Sequence, residues 1–508
     1  MQGTSDPNPE LLDAMAMCGH LVARDSVHWF LAEHRQRLFP DDMFVDLFAS
    51  GRGRPSVPAD VIATVMVLQA LEGLSDRDAV TQLRNSISWK VAAGRSLADE
   101  GFHPTVLTLW RNKLRASGRP QRIFDAVREV IDATNVLAGK TRRALDSTVL
   151  DDAVTRQDAI MQLVAQIRRV RRLVPAAKML ELVAHDYDND PGKPACAWND
   201  RADIDRVVTD LVNDARAILS ALDGVELDDV QAEAVGLLAL VAGQDVEPGD
   251  HDGTWRIAQV TRPDRIVSVH DPESRHVHKT TSNYRDGFKA HIGIEPDTGL
   301  ITACELTAGN VGDAQAAPVL LAGERETVEV LADSGYGSAA FRKHLNEQGH
   351  TATIKPVPMH SAVPGGFTTD DFNIDLEAMT VTCPNGITIE IRPRSRQADF
   401  GRRCEGCPVR ERCTRSARGR NLTIHEHHDI LAAARAHALT PAFSEPYRQH
   451  RPMVERSIAW LVRRGGRKVR YRGIARNQIG LAHRCAAVNL RRLINLGITW
   501  NDNWTMAH

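Results

Sequence analysis

The sequence predicts an α/β (α+β) chain of several domains, and three observations carry that expectation. Helical periodicity dominates both ends, strand-like runs fall between, and two long stretches interrupt the strands with textures of their own. At 508 residues there is room for two to four domains and a sizeable core.

Residues 1–135 form the first domain, and it reads as helical. Val61, Ile62, Val65, Leu68 and Leu71 recur at three- and four-residue spacing, which predicts one apolar helix face. Gly73 can stop that helix and Ser75 can cap the next, with Asp76 and Asp78 in its first turn. A further helix is expected after Pro104, capped by Thr105. Short helices joined by tight turns fit a helix-turn-helix DNA reader, and they fit a plain bundle almost as well.

The strand texture is discontinuous. "RRALDSTVL" (142–150) is a short strand containing Asp146, and about 100 residues of helix follow, with Ile204, Val207, Val208, Leu211, Val212, Ala215, Ile218 and Leu219 in one stripe. Strands resume near 254 with "RIVSVHD", then two alternating runs across the turn "PDTG". "TVEVLADSGYGS" is an apolar strand ending at Asp333, "AAFRKHLNEQ" a helix and "TATIKP" another strand. Residues 357–446 lose periodicity, and from Arg451 the chain is helical again. The expected division is therefore a core split over 136–151, 252–356 and 447–500, with a helical insertion at 152–251 and a cysteine-rich one at 357–446.

Charge is segregated although the total is only −2: from Arg451 to Arg492 there are twelve Lys or Arg against Glu455 alone, while 226–252 is strongly acidic. A basic face of that kind attracts phosphate. No apolar run approaches the ~18 residues of a membrane span, and no signal-peptide form opens the chain, so a cytoplasmic protein with no membrane partner is expected.

With the inserts removed, the order of elements is that of a ribonuclease H-like core. In such a core the first strand, the fourth strand and a late helix each bring one acid to a common point: here Asp146, Asp333 and Glu455. Hard divalent cations take such oxygen ligands, and two ions about 4 Å apart serve in-line phosphoryl transfer. Asp151 and Asp152 are the rivals of Asp146. Cys383, Cys404, Cys407 and Cys413 match the soft ligand set of a structural Zn²⁺, with His425, His427 and His428 as alternatives; the insert shows no periodicity for a core of its own. The other cysteines read as buried or incidental thiols.

Four ordered stretches carry a resemblance: "LDSTVL", "DGFKAHIGIEPDTGLI…LTAGNVGDAQ" (286–315), "LADSGYGS" and "RPMVERSIAWLVRRGGRKVRYRG". The chain resembles the DDE transposases of bacterial insertion sequences, in particular the group with a cysteine-rich insert before the final Glu. The resemblance implies metal-dependent DNA cleavage and strand transfer by Asp146, Asp333 and Glu455 with two Mg²⁺ (or Mn²⁺). It also implies double-stranded DNA partners (terminal repeats and target), a homodimer or higher oligomer, and association with a bacterial nucleoid. A related signature, Tyr-x₂-Arg-x₃-Glu-x₆-Lys, is kept at Arg451 and Glu455, whereas Tyr447 is one position out and Val462 stands where Lys is expected. Arg451, Arg456, Arg463, Arg464, Lys468, Arg470, Arg472 and Lys289 are expected to meet DNA, and Arg402, Arg403, Arg410 and Arg412 to rim the zinc insert. Asn310, Asp313 and His291 are second-rank site candidates. Sequence readout is expected in the N-terminal helices, because a helix reads base edges in the major groove. Rival readings are a transposase-derived DNA-binding protein without catalysis and a metal nuclease that does not join.

Overall fold

Six strands share one sheet in the computed structural model, which describes residues 1–6, 12–260, 262, 264–278 and 284–507. They are β1 (Arg142–Asp151), β2 (Arg275–His278), β3 (Tyr284–Ile294), β4 (Ile301–Ala308), β5 (Glu329–Ala332) and β6 (Thr351–Ile354). β1 pairs antiparallel with β3 on one side and parallel with β5 on the other. β4 lies antiparallel on β3, β6 parallel on β5, and β2 continues the outer edge along the start of β3. The order β4-β3-β1-β5-β6 gives a mixed sheet consistent with a ribonuclease H-like fold.

The expected alternation is missing from β3, where Phe288, Ala290 and Ile292 are buried and so is His291 between them. Both faces of this central strand are covered, so period two has no exposed side to mark. The long helix Ile474–Asn495 covers part of the sheet and also closes its edge: the Asn489 side chain accepts from Ile301 N (2.8 Å) and donates to Ile301 O (2.9 Å). Gln478 accepts from Leu306 N (2.6 Å), so two amide side chains satisfy β4 groups that an edge strand leaves open.

The helix Ala59–Glu72 is buried on all sides from Ala59 to Gln69, not along one face. The C-terminal helix packs on it, and one apolar cluster joins Val65 and Leu68 to Phe288, Ile479 and Cys485. Gly73 does end this helix, in the left-handed region (φ 71°), and Ser75 caps the next by accepting from Asp78 N at 3.1 Å. Thr105 is not a cap. It is the first helical residue, following Pro104, and its hydroxyl bonds to the His103 ring at 2.8 Å.

The helical insertion consists chiefly of Ala159–Leu173, Arg201–Ala221 and Asp229–Gln244 around its own apolar cluster, and the predicted 204–219 stripe lies in it. "RIVSVHD" is not a strand. Ile266, Val267 and Val269 are buried in a loop whose backbone is satisfied by glutamines: Gln162 donates to Ile266 O (2.9 Å), and Gln244 and Gln157 accept from Ile266 N (2.7 Å) and Val269 N (3.0 Å). Side-chain amides replace the ladder, so the apolar run mimicked a strand.

The cysteine-rich stretch does have a core, contrary to expectation. Phe372, Val381, Ile389, Ile391, Ala398, Phe400, Leu422, Ile424 and Cys413 form it, on or beside strands of only three residues, too short for a period to show. The helix carrying Glu455 runs Pro441–Val462, starting well before Arg451 because Pro441 suits a first helical turn. Among the described residues no helix is long and apolar enough to cross a membrane.

Candidate active site and basic surface

β1 and β5 run parallel with Ala144 opposite Leu331, so two residues further along each strand Asp146 and Asp333 arrive side by side. Asp333 sits just past the end of β5, where its carboxylate accepts from Gly335 N at 2.9 Å and caps a tight turn. The Glu455 helix crosses β1, and Arg451, one turn before Glu455, reaches Asp146 and Glu455. Its guanidinium lies 3.2 Å from Asp146 Oδ1 and 3.5 Å from Glu455 Oε1. Asp146 and Arg451 are enclosed, whereas the Glu455 side chain is 65% exposed.

Burial raises the pKa of Asp146; Arg451 opposes the shift and neighbouring Asp333 reinforces it. Tyr447, on the same helix as Glu455, lies within the field of all three carboxylates; burial is the main cause of its raised pKa. Tyr336 is fully buried beneath the acids, its hydroxyl raised well above the usual range by burial and then by Asp313, Asp146 and Asp333.

Asp313 is a further carboxylate beside β1. It accepts from Ser147 Oγ (2.9 Å), pairs with Lys289 Nζ (3.1 Å) and stands 3.8 Å from His291 Nδ1. A methyl group on Gly335 would meet Asp313 Oδ2 at 2.7 Å and Asp333 Oδ1 at 3.1 Å, so the glycine lets the two carboxylates flank it. His291 is buried, which lowers its pKa to about 4, with Asp313 opposing and Lys289 adding to the shift. Asn310 belongs to the turn ahead of the helix Asp313–Leu321. The rivals of Asp146 are engaged elsewhere: Asp151 pairs with Arg285, and Asp152 accepts from Ser274 Oγ at 2.7 Å.

The expected DNA-facing cations divide into two sets. Arg456, Arg463, Arg464, Lys468, Arg470 and Arg472 are exposed. Arg463 stacks on Trp460 at 5.2 Å, and Arg470 donates to Gly73 O. Arg451 and Lys289 instead turn toward carboxylates, Arg451 being only 4% exposed. Spacing along a helix marks a basic residue without showing which way it points. Ser147 and Tyr336 were missed for a related reason: each is an ordinary residue beside a conspicuous acid, in "LDSTVL" and "LADSGYGS".

Burial raises the Cys413 thiol, and Cys404, Cys383 and Cys407 all add to the shift, so these three lie within the field of Cys413. Cys404 Sγ accepts from Arg420 N at 3.4 Å. Of the alternatives, His425 and His427 neighbour each other with ring centres 5.9 Å apart. Among the described residues no three His, Cys, Asp or Glu side chains stand together in ligating geometry. The chemistry of the two donor sets nevertheless fits different ions, oxygens suiting Mg²⁺ or Mn²⁺ and thiols suiting Zn²⁺.

Residues 382–494 match the family described as a transposase DDE domain, and residues 24–113 match a second, described as a transposase domain. The first match spans the cysteines, the Glu455 helix and most of the C-terminal helix; the second spans the helices packed against them. No curated protein and no solved structure matches the chain. The chain thus carries a transposase DDE domain together with a separate transposase domain, which implies DNA binding and activity in DNA recombination.

Proposed function

We propose that the protein is a DDE transposase that cuts DNA at the ends of an insertion sequence and joins the freed 3′-OH to target DNA. The observation that carries this reading is that strand register brings Asp146 beside Asp333 while Arg451 bridges Asp146 to Glu455, on elements in ribonuclease H-like order. Carboxylates drawn toward one another in this way, one of them with a raised pKa, would gain from a divalent cation. Asp146, Asp333 and Glu455 would hold Mg²⁺ or Mn²⁺, which supplies charge neutralisation at the phosphate and a more acidic bound nucleophile. Arg451 keeps the acids assembled, Asp313 and Lys289 support the strand side, and the exposed arginines hold the DNA backbone. The four cysteines would hold one Zn²⁺ with a structural role, and the working form on DNA would be a dimer or larger.

The test uses purified protein and DNA carrying the repeats that flank its own gene. Asp146→Asn, Asp333→Asn and Glu455→Gln should each abolish Mg²⁺-dependent cleavage and joining while DNA binding persists, because each removes a ligand charge at little cost in shape. Near-normal cleavage by any one of the three would remove that residue from the site.

A further inference from the structure

The helical insertion has no part in the site described above, yet it carries a strongly basic cleft. The helix Ala159–Leu173 contributes Arg168, Arg169, Arg171 and Arg172, and with Lys178 and Arg472 these line a cavity of about 690 Å³. Two carboxylates share that lining, and each is taken: Asp188 pairs with Arg171 and Glu233 with Arg169, both at 3.0 Å. Arg168, Arg172, Lys178 and Arg472 make no ion pair among the described residues. Arg168 is fixed by donating to two neutral carbonyls, Tyr187 O (2.5 Å) and Asp190 O (2.7 Å), so its position is set while its charge stays uncompensated. His270, also in the cleft, has its pKa lowered by burial and then by Arg472 and Arg169, which places arginines of the core and of the insertion around one point.

Arg472 ties the cleft to the catalytic strand. Its segment lies along the end of β1: Val469 N donates to Asp151 O and Asp151 N to Arg467 O, both at 2.8 Å, and Arg467 donates to Thr148 Oγ1 at 2.7 Å. A strand rises ~3.3 Å per residue, so Asp146 to Asp151 covers roughly 17 Å and the cleft lies on the order of 20 Å from the acids. At ~3.4 Å per base pair that is roughly half a helical turn of duplex.

We propose that this cleft is a second DNA site, gripping the phosphodiester backbone of the duplex roughly half a turn from the acids. The assignment rests on the transposase reading for its ligand. Guanidinium groups pair bidentately with phosphate, and a cleft with surplus positive charge gains by releasing the counterions of DNA. Its role is to hold and orient the duplex, not to read sequence.

The experiment measures binding of end-labelled random-sequence duplex to the full chain in EDTA across a salt series, so that cleavage plays no part. The variant is Arg172→Glu with Lys178→Glu, both exposed and unpaired, and the control is Arg201→Glu, on the insertion but outside the cleft. The double variant should keep the melting temperature, bind at least tenfold more weakly, and lower the log–log salt slope by ~2, one for each lost phosphate contact. The control should bind as the unaltered protein does. Affinity and slope unchanged in the double variant would overturn the cleft assignment alone. Loss of binding in the double variant, beside an unaltered protein that never cleaves, would uphold the cleft and defeat the catalytic reading. Loss of polyglutamate binding with duplex binding intact would assign the cleft to an acidic protein partner and overturn the proposal.

Discussion

Gly73 packs directly on Arg464 where the two transposase domains meet, and Gly73→Ala should strain that contact. Its φ of 71° lies in the left-handed region, where a side chain costs about 1–2 kcal/mol. A Cβ there would lie 2.9 Å from Arg464 Cβ and 3.0 Å from its carbonyl carbon, and nearer still to the carbonyl oxygen. Arg464 is itself left-handed at φ 50°, so it has little room to yield without changing the whole turn. Overpacking of that kind costs about 1–3 kcal/mol, giving about 2–5 kcal/mol in all. Gly224 supplies the control, with φ 72° and nothing within 4 Å of the added Cβ, so Gly224→Ala should cost only the backbone share of about 1–2 kcal/mol. Urea unfolding at constant m-value reads the difference. Because Arg470 donates to Gly73 O and Arg464 to Leu71 O (3.5 Å), Gly73→Ala should also weaken DNA binding, whereas Gly224→Ala should not. Equal midpoint shifts in the two variants would refute the contact as a constraint.

Arg451→Met should destabilise the metal-free protein by about 1–3 kcal/mol. The cost comes chiefly from enclosed Asp146, which is left unpaired and, with its pKa already raised by burial, relieves part of the loss by taking up a proton, while the largely exposed Glu455 adds little. Mg²⁺ should then raise its melting temperature more than it raises that of the unaltered protein, since the cation replaces Arg451 between the acids; an equal rise would count against that competition. His483 is buried with its pKa lowered to about 3, by burial first and then by Arg111. Its neutral form is kept in the fold while the unfolded chain takes up a proton near pH 6.5, so stability is full above that pH and falls below it. The loss should reach about 2 kcal/mol by pH 5, and His483→Leu, followed by denaturant melts at pH 8 and pH 5, should remove it; an unchanged pH dependence would contradict this. Protein purified without chelator should contain about one zinc per chain, as read by metal analysis. Cys404→Ser with Cys407→Ser should lose the zinc and open 383–425 to proteolysis, and a metal-free preparation of the unaltered protein would refute the site.

Asp146, Asp333 and Glu455 stood out in the sequence because each lies in a short distinctive motif, Asp333 just past a strand end, Asp146 within a strand and Glu455 within a helix, and because order along the chain encodes sheet order. Asp146 and Asp333 needed only the parallel pairing of two strands to meet. Arg451 was legible as a basic residue but not as an inward one, since its direction depends on where the helix crosses β1. Buried loops misled the reading at "RIVSVHD", where Gln157, Gln162 and Gln244, distant in sequence, take over the hydrogen bonds of a strand. The core of the cysteine-rich stretch was hidden for the opposite reason: strands of three residues carry too little pattern to register.

The same physics bears on where sequence recognition can reside. Helix Ala59–Glu72, which a helix-turn-helix reading would place at the front of a DNA reader, is enclosed by the C-terminal helix and shares its cluster with the sheet. Its following turn faces Arg464, not solvent. A helix buried on every side cannot lie in a groove, so base readout within the N-terminal region must come from surfaces that remain open, such as the exposed side of Thr105–Ala116, where Leu109 is 58% exposed. The apolar surface between the two transposase domains also makes them one folding unit. Removing everything after residue 135 would expose Val65 and Leu68 to water, at about 1.5–3 kcal/mol for each side chain fully uncovered. The N-terminal helices and the acids are therefore tied through one apolar cluster, and a change at the contact between them reaches both.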